Sequence, residues 1–110
     1  MIIDFKDIKE VKINGFKGGQ GELDTRNFVD GKIKIMKSIL KPGASSGLHT
    51  HEGNCEVMYI LKGELTYHYD GKIEVAHAGQ VHYCPMGHNH YFENLTNEDV
   101  EYLAIVPEHH

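Results

Sequence analysis

The sequence predicts an all-β domain, a sandwich or closed barrel built from nine or ten short strands. Apolar and polar residues alternate over short runs, and turn dipeptides such as Asp30-Gly31 and Asp70-Gly71 separate these runs. The chain has twelve glycines and three prolines, a composition that suits many tight turns. No segment carries an apolar stripe with the period of a helix. These observations together favour short antiparallel strands over any helical fold.

The individual strand predictions rest on period-two alternation between turn signals. Residues 1–20 form an N-terminal segment of short strands, and within it residues 15–21 predict a flexible glycine loop. The strands predicted after this segment cover residues 22–29, 32–40, 56–62, 64–69, 72–76, 80–84, 90–94 and 100–106. A chain of this length fits one domain, which we place over residues 1–110.

The strand predicted at residues 56–62 is apolar on both faces. In an antiparallel sheet one face usually meets water, so two apolar faces imply cover on both sides. We expect the barrel interior on one side and a second sheet or a second subunit on the other. Because the N-terminal segment also has no obvious core of its own, we predict a homodimer in which N-terminal strands add to the partner's sheet.

Charge and cysteine content narrow the environment and the partners. A formal net charge of −5, with no cluster of Lys or Arg, argues against a nucleic-acid or membrane-surface partner. No run approaches the roughly eighteen apolar residues of a membrane span, and charges occupy the region where a signal peptide has its apolar core. We therefore expect a cytoplasmic protein with Cys55 and Cys84 as buried thiols, although the pair could also form a disulfide. His109 and His110 fit a native end or an expression tag, and no role is assigned to them.

The spacing of His49, His51 and Glu56 suggests a metal site. In a strand, residues at i and i+2 point to the same face and lie about 6.6 Å apart, so the two histidines can each give a nitrogen to one ion. Glu56 follows a short turn containing Gly53 and Asn54, and we expect it to return on the neighbouring strand and to offer an oxygen. The alternative is three polar residues on a solvent-facing strand.

His90 is the best candidate for a fourth ligand among the nine histidines of the chain. It follows the Pro85-Met-Gly87 turn by three residues, which fixes where the chain re-enters the sheet, and Phe92 shares its face. The histidines expected to be surface or hydrogen-bonded residues are His68, His77, His82 and His88. Of these, His82 could also point into the pocket.

Two stretches resemble the two motifs of the cupin family. Residues 43–63 match the first motif without a departure, written as Gly43-x5-His49-x-His51-x4-Glu56-x6-Gly63. Residues 79–94 match the second motif completely, written as Gly79-x5-Pro85-x-Gly87-x2-His90-x3-Asn94. The gap between the motifs is short, as in small single-domain cupins of the conserved-barrel type.

The resemblance implies a cupin double-stranded β-helix, a conical, jelly-roll-like β-barrel with one divalent metal near its centre. It also implies that His49, His51, Glu56 and His90 are the metal ligands, and that Asn94 packs or hydrogen-bonds near a strand end. The metal varies across the family among iron, manganese, nickel, zinc, copper and cobalt. Three imidazoles and one carboxylate suit several of these ions. We expect iron or manganese first, then nickel or zinc.

We predict the residues of a substrate pocket from alternation along the strands, since side chains an even number of positions from a ligand share its face. Met58, Ile60 and Phe92 would lie on the metal-facing side and make the pocket mostly apolar, although aromatic residues in strands more often belong to a core. His82 could join them. Arg26 is the single arginine of the chain and could pair a substrate carboxylate through two hydrogen bonds, with a surface salt bridge as the alternative.

Two functions follow from the resemblance. The first is a metalloenzyme acting on a small organic molecule, of dioxygenase, isomerase or lyase type, since one fold hosts all of these reactions. Sugar-nucleotide epimerase cupins fit less well, because they do not depend on an intact set of four metal ligands. The second function is a non-catalytic, metal-containing module that binds or senses a small molecule, since the chain offers no dedicated acid–base residue beyond the ligands. Since residues 1–110 carry no DNA-binding domain beside the barrel, we expect no direct transcriptional control.

Overall fold

Two antiparallel sheets face each other in the computed structural model, which describes residues 1–109. His110, one of the two terminal histidines considered above, lies outside the described residues. The 3-10 helices are Phe5–Asp7 and Phe16–Gly18, and no described helix is long and apolar enough to cross a membrane. Within residues 1–109 the strands are β1 (Val11–Asn14), β2 (Glu22–Val29), β3 (Ile33–Leu40), β4 (His49–Thr50), β5 (Glu56–Lys62), β6 (Glu64–Tyr69), β7 (Lys72–His77), β8 (Val81–Cys84), β9 (Asn89–Glu93) and β10 (Val100–Pro107).

The strand order confirms the predicted all-β, jelly-roll-like fold. The larger sheet has six strands in the order β1-β2-β3-β10-β5-β8, and the smaller has four in the order β4-β9-β6-β7. β10 lies inside the larger sheet between β3 and β5, so the last strand of the chain pairs with two strands that are distant from it in the sequence. Gly63 passes the chain from one sheet to the other with a left-handed φ of 90°, a conformation that glycine adopts without strain.

Alternate side chains of each sheet fill the space between the sheets. In β9 and β10 every second residue is buried, which is the period of two that the sequence showed. The large buried apolar side chains are Leu23, Leu40, Met58, Ile60, Leu65, Tyr67, Phe92, Val100 and Tyr102. Each contributes roughly 1.5–3 kcal/mol to folding through removal of its apolar surface from water, so this layer provides most of the driving force.

The doubly apolar strand β5 shows how its two faces differ. Its inward side chains Met58 and Ile60 are fully buried between the sheets. Its outward side chains Tyr59 and Leu61 are 41% and 42% exposed in the single chain. The interior cover predicted for this strand is therefore present, and the outer face is open.

The N-terminal segment packs against β2 of the same chain. β1 pairs with β2 in antiparallel register, and the Arg26 guanidinium donates hydrogen bonds to the backbone carbonyls of Phe5 (3.3 Å) and Ile8 (2.6 Å). The glycine loop at residues 15–21 is packed against the body of the protein. A side chain at Gly19 would place its Cβ 2.1 Å from the carbonyl oxygen of Ser45, so only glycine fits there.

Asn94 connects the end of β9 to the end of β3. Its Nδ2 donates to the carbonyls of Leu40 (2.9 Å) and Glu98 (2.7 Å). Its Oδ1 accepts from the backbone N–H (3.0 Å) and the hydroxyl (2.7 Å) of Thr96. The side chain is fully buried, so these four hydrogen bonds replace water completely.

We predict that Asn94→Ala lowers the free energy of unfolding by about 2–3 kcal/mol, because the buried Leu40 carbonyl loses its donor and three further hydrogen bonds of the side chain are lost. Urea denaturation measures the change. Asn97→Ala is the control in the same loop, since Asn97 is exposed, and it should shift stability by less than about 0.5 kcal/mol. Equal effects of the two substitutions would contradict this role of Asn94.

Candidate metal centre

The four predicted ligands come together between the two sheets. His49 on β4 lies opposite His90 on β9 in the register of the smaller sheet, and His51 follows β4 directly. Glu56 is the first residue of β5 in the larger sheet. The sequence predicted Glu56 on the strand neighbouring His49, but residues 52–55 instead carry the chain across the sandwich. The ligands therefore approach from both sheets.

The ligand atoms are close enough to share one ion. His90 Nε2 lies 2.8 Å from His49 Nε2, 3.1 Å from His51 Nε2 and 2.9 Å from Glu56 Oε1. The same Glu56 oxygen is 3.2 Å from His51 Nε2 and 3.7 Å from His49 Nε2. Two donors bound at right angles to an ion at ~2.1 Å would be about 3.0 Å apart, so the observed separations fit a single metal ion.

Hydrogen bonds on the far side of two rings determine where their protons are. His49 Nδ1 donates to the carbonyl of Gly47 (2.9 Å), and His51 Nδ1 donates to Oδ1 of Asn54 (2.7 Å). The Asn54 amide is oriented by its Nδ2, which donates to Glu108 at 3.4 Å. A neutral imidazole has one N–H, so the Nε2 atoms of both histidines carry lone pairs toward the cluster.

The cluster therefore lacks hydrogen-bond donors. With the protons of His49 and His51 on Nδ1, at most one ring N–H, that of His90, is available to four electron-rich atoms. Glu56 Oε1 is buried and accepts no hydrogen bond from the described residues. A buried acceptor without a partner calls for a ligand or an ion, and a divalent cation would satisfy all four atoms at once. The residues present thus fit a metal ion.

The pKa shifts of these groups describe the cluster when protons, in place of a cation, occupy it. Burial opposes ionisation of Glu56, but the three facing imidazoles outweigh it and hold the pKa of the carboxyl well below its usual range. Burial also lowers the pKa of His90, which favours a neutral ring. For His51 burial is outweighed by Glu56 and Asn54, so its pKa is raised. Protonation of His51 competes with a cation, so affinity for a metal should fall as the pH falls.

A cavity of about 650 Å³ opens beside the cluster. Its wall combines three of the ligands with side chains from the glycine loop, β2, β3 and β10. The lining residues are Phe16, Lys17, Asn27, Val29, Lys34, Met36, His49, Thr50, His51, Glu52, Asn54, Glu56 and Val106. Small molecules can reach the cluster through this cavity, and two lysines give it cationic groups.

Lys17 reaches the cavity on a tightly constrained loop. Its backbone is left-handed (φ 53°), a conformation that costs energy in a residue other than glycine. The loop packs against Gly47, whose N–H donates to the carbonyl of Phe16 at 2.9 Å. A Cβ on Gly47 would lie 1.7 Å from the Lys17 carbonyl oxygen. Gly47 thus holds the loop that carries Lys17 and also accepts the hydrogen bond that orients His49.

None of the five residues predicted for the pocket lines this cavity. Met58, Ile60 and Phe92 face the interior, as parity predicted, but they are packed in the core with exposures of 0–1%. The His82 ring is buried behind His90, and Arg26 binds backbone carbonyls of the N-terminal segment. Parity identifies the inward side of a strand but does not tell which part of the interior is filled.

Sequence reasoning missed the contribution of β2 and β3 to the cavity. Met36 lies opposite Asn27, and Lys34 lies opposite Val29, so the two pairs form one inward patch. The available signal was the period of two from Leu40, which assigns Lys34 and Met36 to the buried side. The apolar Ile33 and Ile35 obscured it, because they favour the opposite assignment.

Comparison with known proteins shows the family of this chain. A family model described as a cupin domain matches residues 36–106 of the chain. The chain belongs to the cupin family. An oxalate-binding protein from Thermotoga maritima is 35% identical, with a match that covers 96% of this cupin and 93% of the relative.

A crystal structure from Thermotoga maritima, described as that of a predicted oxalate decarboxylase, has a TM-score of 0.91 and 34% identity. The match covers 98% of this cupin and 99% of that chain. The oxalate decarboxylase of Bacillus subtilis is 31% identical over 79% of this cupin, which corresponds to 24% of the longer enzyme. The cupin therefore spans about a quarter of that relative.

We predict that His49→Ala lowers metal affinity by more than about 100-fold, since even changes behind a ligand cost about 10–100-fold. Metal content per chain after dialysis against a trace of Mn²⁺, measured by elemental analysis, reports the loss. His68→Ala is the control, because His68 contacts Glu93 outside the cluster. Unchanged stoichiometry in His49→Ala would refute the ligand assignment.

Proposed function

We propose that this cupin holds one divalent transition metal at His49, His51, Glu56 and His90 and binds a small carboxylate anion of the oxalate class beside it. The observation that carries the proposal is the convergence of three imidazole nitrogens and one carboxylate oxygen, with at most one N–H between them, on an open cavity. Iron or manganese is the first expectation for the metal, followed by nickel or zinc. When bound, the metal would supply Lewis-acid chemistry to a carboxylate oxygen.

The charges around the cavity favour an anionic ligand. Lys17 and Lys34 line the wall, and the Lys17 ammonium is close enough to oppose protonation of His51. A dianion near the metal would gain from both lysines, whose attraction is strengthened where the cavity excludes water. The Thermotoga maritima relative of nearly equal length is an oxalate-binding protein, which supports a ligand of this class.

Oxalate binding is compatible with two functions, which differ in whether the bound anion reacts. In the first, the cupin binds the anion without turnover, and the oxalate-binding relative supports this reading. In the second, it is a lyase, supported by the resemblance to the Bacillus subtilis oxalate decarboxylase. Hydrogen oxalate would then lose its C–C bond, one carbon would leave as carbon dioxide, and the proton would end on the carbon of formate. Glu52 is a lining carboxyl besides Glu56 that could carry that proton.

Calorimetric titration of oxalate into the Mn²⁺-loaded protein tests the proposal. We expect saturable binding at one site per chain, and none after removal of the metal with a chelator. Lys17→Met should weaken oxalate binding about tenfold, equivalent to about 1.4 kcal/mol, because one attractive charge is lost. Lys72→Met is the matched control, since it removes the same charge from an exposed position on β7.

A metal-loaded protein that takes up no oxalate would contradict the proposed ligand class. Where oxalate does bind, an assay for formate separates the two readings. Formate released in step with oxalate loss establishes the lyase, and binding with no formate establishes the binding module.

We also propose a homodimer that uses the outer face of β5 and β8. Tyr59 lies opposite Val81 in the register of these strands, and the outward side chains Tyr59, Leu61, Val81 and Tyr83 are between 41% and 56% exposed. Exposed apolar patches of this kind are common sites of association. Since β1 pairs with β2 of its own chain, contact between sheet faces is better supported than the predicted addition of N-terminal strands to the partner's sheet.

We predict that the chain sediments as a dimer at micromolar concentration. Tyr83→Lys should shift the population toward monomer, because a charge replaces an aromatic side chain on the contact face. Sedimentation velocity measures both. A wild-type monomer under these conditions would refute the dimer.

A further inference from the structure

We propose that His82 is a positioning residue for the ligand His90, and that Glu74 in turn positions His82. The inference rests on the proposed metal centre and assigns a role to two residues outside the four ligands. His82 lies behind His90, on the side away from the cluster, and so does not contact a substrate in the cavity.

The first link is the hydrogen bond between the two imidazoles. Nδ1 of the fully buried His90 lies 3.3 Å from Nε2 of His82. A neutral His90 can bind a metal through Nε2 only if its proton is on Nδ1, because the nitrogen that ligates must carry a lone pair. An acceptor on His82 stabilises that tautomer and fixes the angle at which the ring faces the cluster.

The second link orients His82 itself. Its ring stacks on Tyr67 with 3.8 Å between centroids and 18° between planes, which sets the plane of the imidazole. Its Nδ1 lies 3.5 Å from Oε1 of Glu74 on the neighbouring sheet's edge strand. When Nε2 accepts from His90, the single proton of a neutral His82 is on Nδ1, where it faces a carboxylate. Packing on Tyr67 thus sets the ring plane of His82, and the Glu74 carboxylate favours the tautomer of His82 that serves His90.

His90 differs in this respect from the other two histidine ligands. Those are oriented by the carbonyl of Gly47 and the amide oxygen of Asn54, which can act only as acceptors. An imidazole can either donate or accept, so His90 depends on which tautomer its partner adopts. A small cavity of about 210 Å³ on the outer side, lined in part by Glu74 and His82, brings this chain of contacts to the surface.

Two substitutions at His82 separate the hydrogen bond from the packing. His82→Phe keeps a flat ring against Tyr67 but offers no acceptor, whereas His82→Gln keeps an acceptor and loses the ring. We expect His82→Phe to weaken binding of Co²⁺ about 10–100-fold, measured by competition with a chromophoric chelator. His82→Gln should stay close to wild type, and Glu74→Gln should show a smaller loss than His82→Phe. A role in packing alone predicts the reverse order.

The Co²⁺ affinities of the His82 variants are complemented by a spectroscopic measurement and by a matched control variant. The visible absorption of bound Co²⁺ reports ligand geometry, and we expect His82→Phe to shift this spectrum while His82→Gln restores it. The control is His68→Phe, which alters a histidine that also stacks on a tyrosine (Tyr91, 4.1 Å) and contacts a carboxylate, but lies outside the cluster. Its affinity and spectrum should match wild type.

The outcomes distinguish this inference from the proposed function. If wild type and His82→Phe bind Co²⁺ equally well, or if His82→Phe binds better than His82→Gln, the inference is overturned while the metal centre stands. If wild type binds no metal, both fail. Should His82→Phe not fold, His82→Asn replaces it. The Asn side chain is one methylene shorter than that of Gln, so its amide does not reach Nδ1 of His90. Equal affinities of the Asn and Gln variants would then overturn the inference.

Discussion

The site depends on one constraint. Four electron-rich atoms meet between the two sheets, and there are too few N–H groups to link them by hydrogen bonds. Hydrogen bonds to Gly47 and Asn54 hold the protons of two imidazoles away from the cluster, and Glu56 is held as a carboxylate. Like partial charges at 2.8–3.7 Å repel, so the cluster opposes folding unless a cation or protons occupy it. A bound divalent cation would turn this repulsion into attraction, so metal binding would also stabilise the fold.

The fold explains why the repulsion can be sustained. The larger and smaller sheets are joined by a core of large apolar side chains, whose burial is insensitive to the charge of the cluster. The same packing leaves a cavity beside the ligands, where Lys17 and Lys34 supply cationic groups. Gly47 links these parts, since its N–H holds the Lys17 loop and its carbonyl orients His49. Site and cavity are thus positioned by shared backbone contacts.

The sequence predicted what depends on local spacing. Turn dipeptides and period-two alternation located the strands, and the spacing of His49, His51, Glu56 and His90 located the cluster. It did not predict the sheet that carries Glu56 or the residues that line the cavity. Those features depend on the path of residues 52–55 across the sandwich and on which parts of the interior are filled, and both are set by contacts between distant segments. The orientation of His82 behind His90 also depends on contacts between distant segments, and the sequence did not predict it.

Anomalous diffraction from crystals of the wild-type protein grown with Mn²⁺ tests the central claim most directly. Data collected on either side of the manganese absorption edge show whether the ion is present and where. We predict one strong anomalous peak within about 2.0–2.3 Å of the Nε2 atoms of His49, His51 and His90 and an oxygen of Glu56. A map without a peak at this position, with the imidazoles hydrogen-bonded to one another or to water, would contradict the account.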